Sequence, residues 1–230
     1  MIRLVNVSKH YQYGLENNLF YALKDINLEI RKSEFISIIG KSGSGKSTLM
    51  NIIGSLDRPS SGELYIDGIN IQKMSLMEQN IFRNEKIGFV FQSFYLEPSY
   101  TVFQNVEIPL LIKGVSRKER KIRVEEQLNQ VGLISKANLA SKFLSGGEQQ
   151  RVCIARAMIN NPSIILADEP CGHLDTQNSK VILELLCKFR DKKTTVLLIT
   201  HNQEEANLAD RIIEMQDGNI IADYTKYSPL

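Results

Sequence analysis

Apolar and polar residues alternate through the first thirty positions of the chain. Leu4-Val5-Asn6-Val7 and Asp25-Ile26-Asn27-Leu28-Glu29-Ile30 have a period of two, with Ile26, Leu28 and Ile30 on one face. This pattern predicts strands of a half-buried antiparallel layer. Between them Tyr11 follows Ser8-Lys9-His10 in a polar segment, and Gly14 to Asn18 reads as a loop. Further on the pattern changes to short, nearly continuous apolar runs: Phe35 to Ile39, Ile87 to Phe91, Ile164 to Ala167 and Thr195 to Thr200. Such runs predict strands buried on both faces, as in a parallel sheet. Helical segments are predicted from near Lys46 through Ile53, over Leu76 to Asn84, Thr101 to Ile112 and Arg117 to Val131, and from Ser145 through Arg151 to Ile159. Pro59-Ser60-Ser61-Gly62 and Asp67-Gly68 punctuate a hairpin of Glu63 to Ile66 with Ile69 to Ile71, and a second hairpin turns within Met215 to Ile220.

These elements predict an α/β fold with a mostly parallel sheet, an N-terminal antiparallel β subdomain and an inserted helical subdomain. The length suits one domain with a subdomain as well as it suits two domains.

Composition narrows the setting. The 230 residues are 43% hydrophobic and 23% charged, enough to bury a substantial core, and the formal net charge is +2. So small an excess argues against nucleic acid or an anionic membrane surface as the main partner. Cys153, Cys171 and Cys187 are odd in number and lack metal-type spacing, which suits reduced thiols of the cytosol. The start of the chain has no signal-peptide h-region. No stretch approaches the roughly 18 apolar residues of a membrane span. A soluble chain that reaches any membrane through a partner is therefore expected.

The candidate chemistry lies at the ends of the buried runs. Gly40-Lys41-Ser42-Gly43-Ser44-Gly45-Lys46-Ser47-Thr48 follows the first of them and opens a helix, so it fits G-x-x-x-x-G-K-[ST], the Walker A phosphate loop. Gly40, Gly43 and Gly45 let backbone N–H groups turn inward around an anion. Lys46 supplies a charge for the β- and γ-phosphates, Ser47 a hydroxyl for Mg²⁺, and the helix its positive end. A plain glycine-rich turn would leave Lys46-Ser47 unexplained. Leu144-Ser145-Gly146-Gly147-Glu148 opens a second helix, with Ser145 and Glu148 at capping-box spacing. Two glycines at its mouth leave the first N–H groups uncovered and suggest a second anion site, the alternative being a capped structural helix.

Asp168 ends another buried run, where it can orient Mg²⁺ through water beside Ser47, and Glu169 next to it is placed to polarise an attacking water. An acidic pair there is otherwise a helix-entry cap. Gln92 and His201 also end buried runs, where α/β sheets bind ligands. His201 can hydrogen-bond a γ-phosphate. Taken singly, each is equally a structural hydrogen bonder. Tyr11 either stacks on a purine or simply packs, and both readings stay open. The basic run Arg117, Lys118, Arg120, Lys121, Arg123 lacks the aromatics of a single-strand nucleic-acid platform and reads as a solvated helix face.

From Leu4 to about Asp223 the motifs occur in an order that resembles the nucleotide-binding subunit of an ABC transporter. The resemblance implies a P-loop NTPase core, ATP-Mg²⁺ as ligand, and one domain over 1–230 in which 1–91 and 160–230 form the core with the β subdomain and about 93–159 the helical part. It makes Leu144 to Glu148 the signature, Tyr11 the adenine-stacking aromatic, Gln92 the Q-loop glutamine, Asp175 the D-loop aspartate and His201 the switch histidine. Around the metal it places Ser47, Gln92 and, through water, Asp168. It also implies a head-to-tail dimer with a second copy or a near relative, in which Ser145 and Gly147 of one subunit touch the γ-phosphate held by Lys46 of the other. A permease would dock on the region after Gln92, holding the chain on the inner face of the cell membrane. Three positions depart from the common pattern: Glu148 for glutamine, Cys171 for threonine and Ser33 for a turn glycine. A Cys171/His173 metal site would have only two ligands, too few for one to be expected.

Tyr21 to Lys24, Asn51 to Asp57 and Gln92 to Pro98 are similar to the branch serving lipoprotein-releasing and macrolide-type exporters. There Phe94, Leu96 and Val102 would form the permease groove, unless they are ordinary core. The run Ser145 to Arg151 also resembles the cell-division ABC ATPase, and bacitracin-type peptide transporters are a third branch. A GTPase would need Asn-Lys-x-Asp, which does not occur. Soluble ABC ATPases of translation or DNA repair usually carry two cassettes or a coiled-coil insertion between Gln92 and Leu144, and that interval has no sustained heptads.

Overall fold

The computed structural model describes residues 1–13, 18–191 and 194–226. The predicted loop at Gly14 to Asn18 falls, except for Asn18, outside them. Along the chain lie β1 (Ile2–Tyr13), β2 (Asn18–Ile30), β3 (Phe35–Ile39), α1 (Lys46–Ile53), β4 (Ser61–Ile66), β5 (Ile69–Asn70), α2 (Leu76–Lys86), β6 (Ile87–Phe91), α3 (Val102–Ile112) and α4 (Arg117–Gln130). They are followed by α5 (Gly146–Met158), β7 (Ile164–Asp168), α6 (Thr176–Asp191), β8 (Thr195–Ile199), α7 (Gln203–Ala206), β9 (Arg211–Gln216) and β10 (Asn219–Thr225). Two compact units result, Met1–Asn80 with the chain from Thr195 onward, and Ile81–Thr194.

The first unit contains an antiparallel sheet in the order β2-β1-β4-β5 and strands in the order β10-β9-β3-β8, with β9, β3 and β8 mutually parallel along their pairings. Ile26, Leu28 and Ile30 are buried while the residues between them are exposed, the half-buried layer that alternation predicts. β3 and β8 are buried on both faces, and Val196 to Ile199 are fully enclosed. The Asp67-Gly68 and Asp217-Gly218 turns have positive φ at both central residues, 50° and 82° in the first and 49° and 82° in the second. This is the type I′ geometry whose twist matches a hairpin. Ser33 takes φ 61° in the turn before β3, where glycine would be unstrained, and its N–H donates to Thr195 Oγ1 at 3.0 Å.

Two local expectations change here. Tyr11 lies inside β1, opposite Phe20, rather than in a polar connection, because β1 continues to pair with β2 as far as Tyr13. Ile71 leaves the hairpin for a 3₁₀ turn over Ile71–Lys73, where it is buried and Gln72 Oε1 accepts from Leu64 N–H at 2.9 Å.

In the second unit β6 and β7 run parallel, with Phe91 opposite Asp168. α5 packs on β6 and is flanked by α3, α4 and α6, and Val106, Leu110, Val124, Leu128, Val152 and Ile154 are fully buried. Thr101 caps α3 through a capping box with Gln104, so α3 begins one residue later than predicted. α2 runs past Asn84 to Lys86, and Val131 and Ile159 cap α4 and α5 without belonging to them. The basic face of α4 is partly pinned, since Arg120 Nε donates to Glu107 at 2.8 Å and Arg123 Nε to Glu119 at 2.7 Å.

Candidate nucleotide site and signature

The phosphate loop hangs between the carboxyl end of β3 and the first turn of α1. Its glycines have positive φ: 150° at Gly40, 79° at Gly43 and 102° at Gly45. A Cβ would stand 2.2 Å from Met215 O at Gly40 and 2.4 Å from Ala22 O at Gly45, whereas Gly43 has open space around it. At two of the three positions the chain's own backbone thus demands glycine, in addition to the loop's shape. α1 has no side-chain cap, so its first N–H groups remain available to an anion. Lys46 is buried, and its ammonium donates to Gly40 O and Lys41 O at 2.8 Å and to Ser44 Oγ at 3.4 Å. Lys41, Ser42 and Ser47 are exposed, Ser44 is buried and Thr48 half-buried.

Tyr11 is 40% exposed, and its hydroxyl donates to Asp57 Oδ2 at 2.9 Å. The Lys9 ammonium sits 4.9 Å from the ring centroid and also pairs with Asp57 at 2.7 Å. Partial burial, then the Asp57 carboxylate, raise the phenol above its ordinary value, so the hydroxyl remains a donor. Asp57 is therefore the residue that orients Tyr11. In the sequence its only signal was membership of the Asn51 to Asp57 run. His201 follows β8, the parallel neighbour of β3 in which Ile199 pairs with Ile38. His201 and the phosphate loop thus leave corresponding ends of adjacent strands.

In the second unit Gln92, Asp168 and Glu169 likewise leave the carboxyl ends of the paired strands β6 and β7. Glu169 has φ 44°, a left-handed conformation costly for a non-glycine residue, and Gly172 N–H donates to its carbonyl at 3.0 Å. Gln150, wholly buried on α5, donates from Nε2 to Phe91 O at 3.2 Å and to Pro170 O at 2.7 Å. This glutamine fastens the signature helix to both strand ends, a role that only the folded chain reveals.

Ser145 and Glu148 form the predicted capping box. Glu148 also ion-pairs with Lys136, which holds its carboxyl below the usual range and gives the unusual glutamate a partner. Gly147 has an intramolecular reason to be glycine, since a Cβ there would lie 2.1 Å from Asn178 Oδ1. At Gly146 a Cβ would meet only ordinary contacts, 3.6 Å from Leu174 and 3.7 Å from Phe94. Asn178 donates from N–H to Asp175 Oδ1 at 2.8 Å and from Nδ2 to Asp175 Oδ2 at 2.6 Å, and these bonds, the backbone one first, lower the Asp175 carboxyl pKa.

Gly147→Ala should therefore push the Asn178 side chain off Asp175 and cost about 1–3 kcal/mol, read as a lowered thermal midpoint. Adding Asn178→Ala should recover most of that loss, because the backbone bond to Asp175 survives. No recovery would locate the conflict elsewhere.

The residues after Gln92 divide. Val102 is fully buried core and not part of a groove, while Phe94 and Leu96 are half-buried. Tyr95, 70% exposed with φ 46°, is held by Arg156, whose guanidinium donates to Tyr95 O at 2.6 Å and Phe94 O at 2.9 Å. Burial pushes the Cys153 thiol up to about 12, so it stays protonated. Among the described residues no group of three His, Cys, Asp or Glu side chains could hold a metal, so Cys171 and His173 lack further ligands. Ser47 in the first unit, and Gln92 and Asp168 in the second, each carry a hard oxygen donor of the kind that Mg²⁺ takes.

The fold and these loops define an ABC-type ATP-binding cassette, and the profile of the ABC transporter family matches residues 23–172. The chain belongs to the ABC transporter family. It is 48% identical over 225 residues to the ABC transporter ATP-binding protein MJ0796 of Methanocaldococcus jannaschii, covering 96% of this chain and 95% of that one. The dimeric structure of MJ0796 in a post-hydrolysis state, bound to ADP and Pi, superposes with a TM-score of 0.90 at 45% identity and covers 98% of both chains. The lipoprotein-releasing system ATP-binding protein LolD of Aquifex aeolicus is 44% identical over 204 residues, 89% of this chain and 91% of that protein. The macrolide export ATP-binding/permease protein MacB of Neisseria meningitidis is 45% identical over 226 residues, 98% of this chain but 35% of that longer protein.

Proposed function

We propose that this chain is the ATP-hydrolysing motor of an ABC transporter, pairing head to tail around two ATP molecules and driving a mechanotransmission-type permease that exports or extracts a lipoprotein, macrolide or peptide. The observation that carries the reading is the presence in one chain of a phosphate loop at Gly40 to Thr48 and a second glycine-opened helix at Ser145. The dimeric, ADP- and Pi-bound state described for MJ0796 supports sharing each nucleotide between two subunits.

In this reading the loop amides and Lys46 bind the β- and γ-phosphates, Tyr11 stacks on adenine, and Ser145 and Gly147 of the second subunit close on the γ-phosphate. Glu169 takes the proton of the attacking water, and His201 holds the γ-phosphate until it leaves. Ser47, Gln92 and, through water, Asp168 would hold Mg²⁺, which would supply positive charge against the phosphates. Loss of the bridging phosphate reopens the pair, and that motion drives the permease.

No helix among the described residues is long and apolar enough to cross a membrane. The reading attaches the cassette to the inner membrane face through its permease, by way of the region after Gln92. The LolD and MacB relatives support the exporter branch, and MacB joins a cassette of this kind to a permease in one protein.

The test is to recover the Glu169→Gln form with ATP from gently solubilised native membranes. A co-purifying permease with four membrane helices and a large extracytoplasmic domain is the expected result. Recovery with ribosomes or DNA and no membrane protein would overturn the transport assignment.

A further inference from the structure

Gln92 is expected to present its amide oxygen to a metal, yet a glutamine side chain ending a strand is free to turn either end of its amide outward. Here the nitrogen end is taken. Gln92 Nε2 lies 3.2 Å from His173 Nε2, which closes a hydrogen bond when the imidazole carries its proton on Nδ1. Beneath it, Gly172 leaves room for the amide to lie flat, since a Cβ there would stand 2.6 Å from Gln92 Nε2, 3.0 Å from Cδ and 3.2 Å from Cγ. Gly172 and His173 belong to the turn that follows Glu169, closed by Gly172 N–H donating to Glu169 O at 3.0 Å. The turn carrying the hydrolytic glutamate thus also forms the seat of Gln92.

We propose that His173 is a positioning residue that anchors the Gln92 nitrogen and so turns the Gln92 oxygen outward as a ready ligand for the nucleotide's Mg²⁺. The inference rests on the ATPase reading above and assigns a task to a residue that the signature, Walker and Q-loop motifs leave unassigned. Gln92 acts on the metal, and His173 acts only through Gln92. One side-chain hydrogen bond that selects between two amide orientations is worth about a fivefold preference.

The experiment follows ATP-driven dimer formation, which requires no turnover, in chains carrying Glu169→Gln. With ATP fixed, Mg²⁺ is titrated and the dimer fraction is measured by light scattering. Adding His173→Ala should raise the Mg²⁺ needed for half-maximal dimer about fivefold. Adding His173→Gln, whose Oε1 can accept at the reach of Nε2, should restore the parent value. Binding of ATP in EDTA should be equal in all three chains, because the anchored group touches metal and not nucleotide. An unchanged Mg²⁺ midpoint in the alanine form, or equal shifts for alanine and glutamine, would overturn the assignment and leave His173 a structural residue. A Glu169→Gln parent that stays monomeric with ATP and Mg²⁺ would instead overturn the dimeric ATPase reading, and this inference with it.

Discussion

Glu169→Gln is expected to bind ATP normally, slow hydrolysis by about 10²- to 10⁴-fold, and accumulate as a dimer when ATP and Mg²⁺ are present. Glutamine keeps the volume and the hydrogen-bonding ability of glutamate but cannot take a proton. The fold should tolerate it, because the left-handed φ of 44° at this position penalises both side chains alike. Turnover measured by phosphate release and mass measured by light scattering give the two readouts. Normal turnover in this form would remove Glu169 from the chemistry. Slow turnover without dimer would keep the base and discard the shared site.

The second large effect is expected at Lys46. Inside the loop its ammonium donates to Gly40 O, Lys41 O and Ser44 Oγ, of which Lys41 O also accepts from Ser44 N–H at 3.2 Å. Lys46→Met keeps the length of the side chain and removes the charge. Loss of charge-assisted bonds to phosphate of about 1.5–3 kcal/mol corresponds to ATP binding weaker by roughly 10- to 150-fold. The Gly40 carbonyl left without this donor should also lower stability by about 1 kcal/mol. Calorimetric titration with ATP and a thermal melt measure the two effects separately. A loss of stability with unchanged affinity would mean that Lys46 serves the loop and not the nucleotide.

The location of the chemistry was legible because it depends on short runs of residues. Gly40 to Ser47 fits its eight-position pattern, and the apolar runs before Gly40, Gln92, Asp168 and His201 announce strands whose ends carry those residues. Tyr11 was harder to place, since a strand edge with Ser8-Lys9-His10 around it looks like a polar connection, and only pairing with Phe20 identifies it as β structure. Val102 shows the converse case. Its apolar character suited both a docking groove and a core, and burial against the other helices decided for the core.

The sequence by itself determined the family, the α/β alternation and the residues proposed to meet phosphate, because periodicity and motif spacing are local properties of the chain. Only the tertiary structure decided which groups hold those residues in place. Asp57 orients Tyr11 from 46 residues away, Gln150 ties α5 to Phe91, Lys136 pairs with Glu148, Asn178 fills the space that makes Gly147 a glycine, and His173 anchors Gln92 across 81 residues. Contacts of this kind follow from how strands and helices pack, and no spacing along the chain records them.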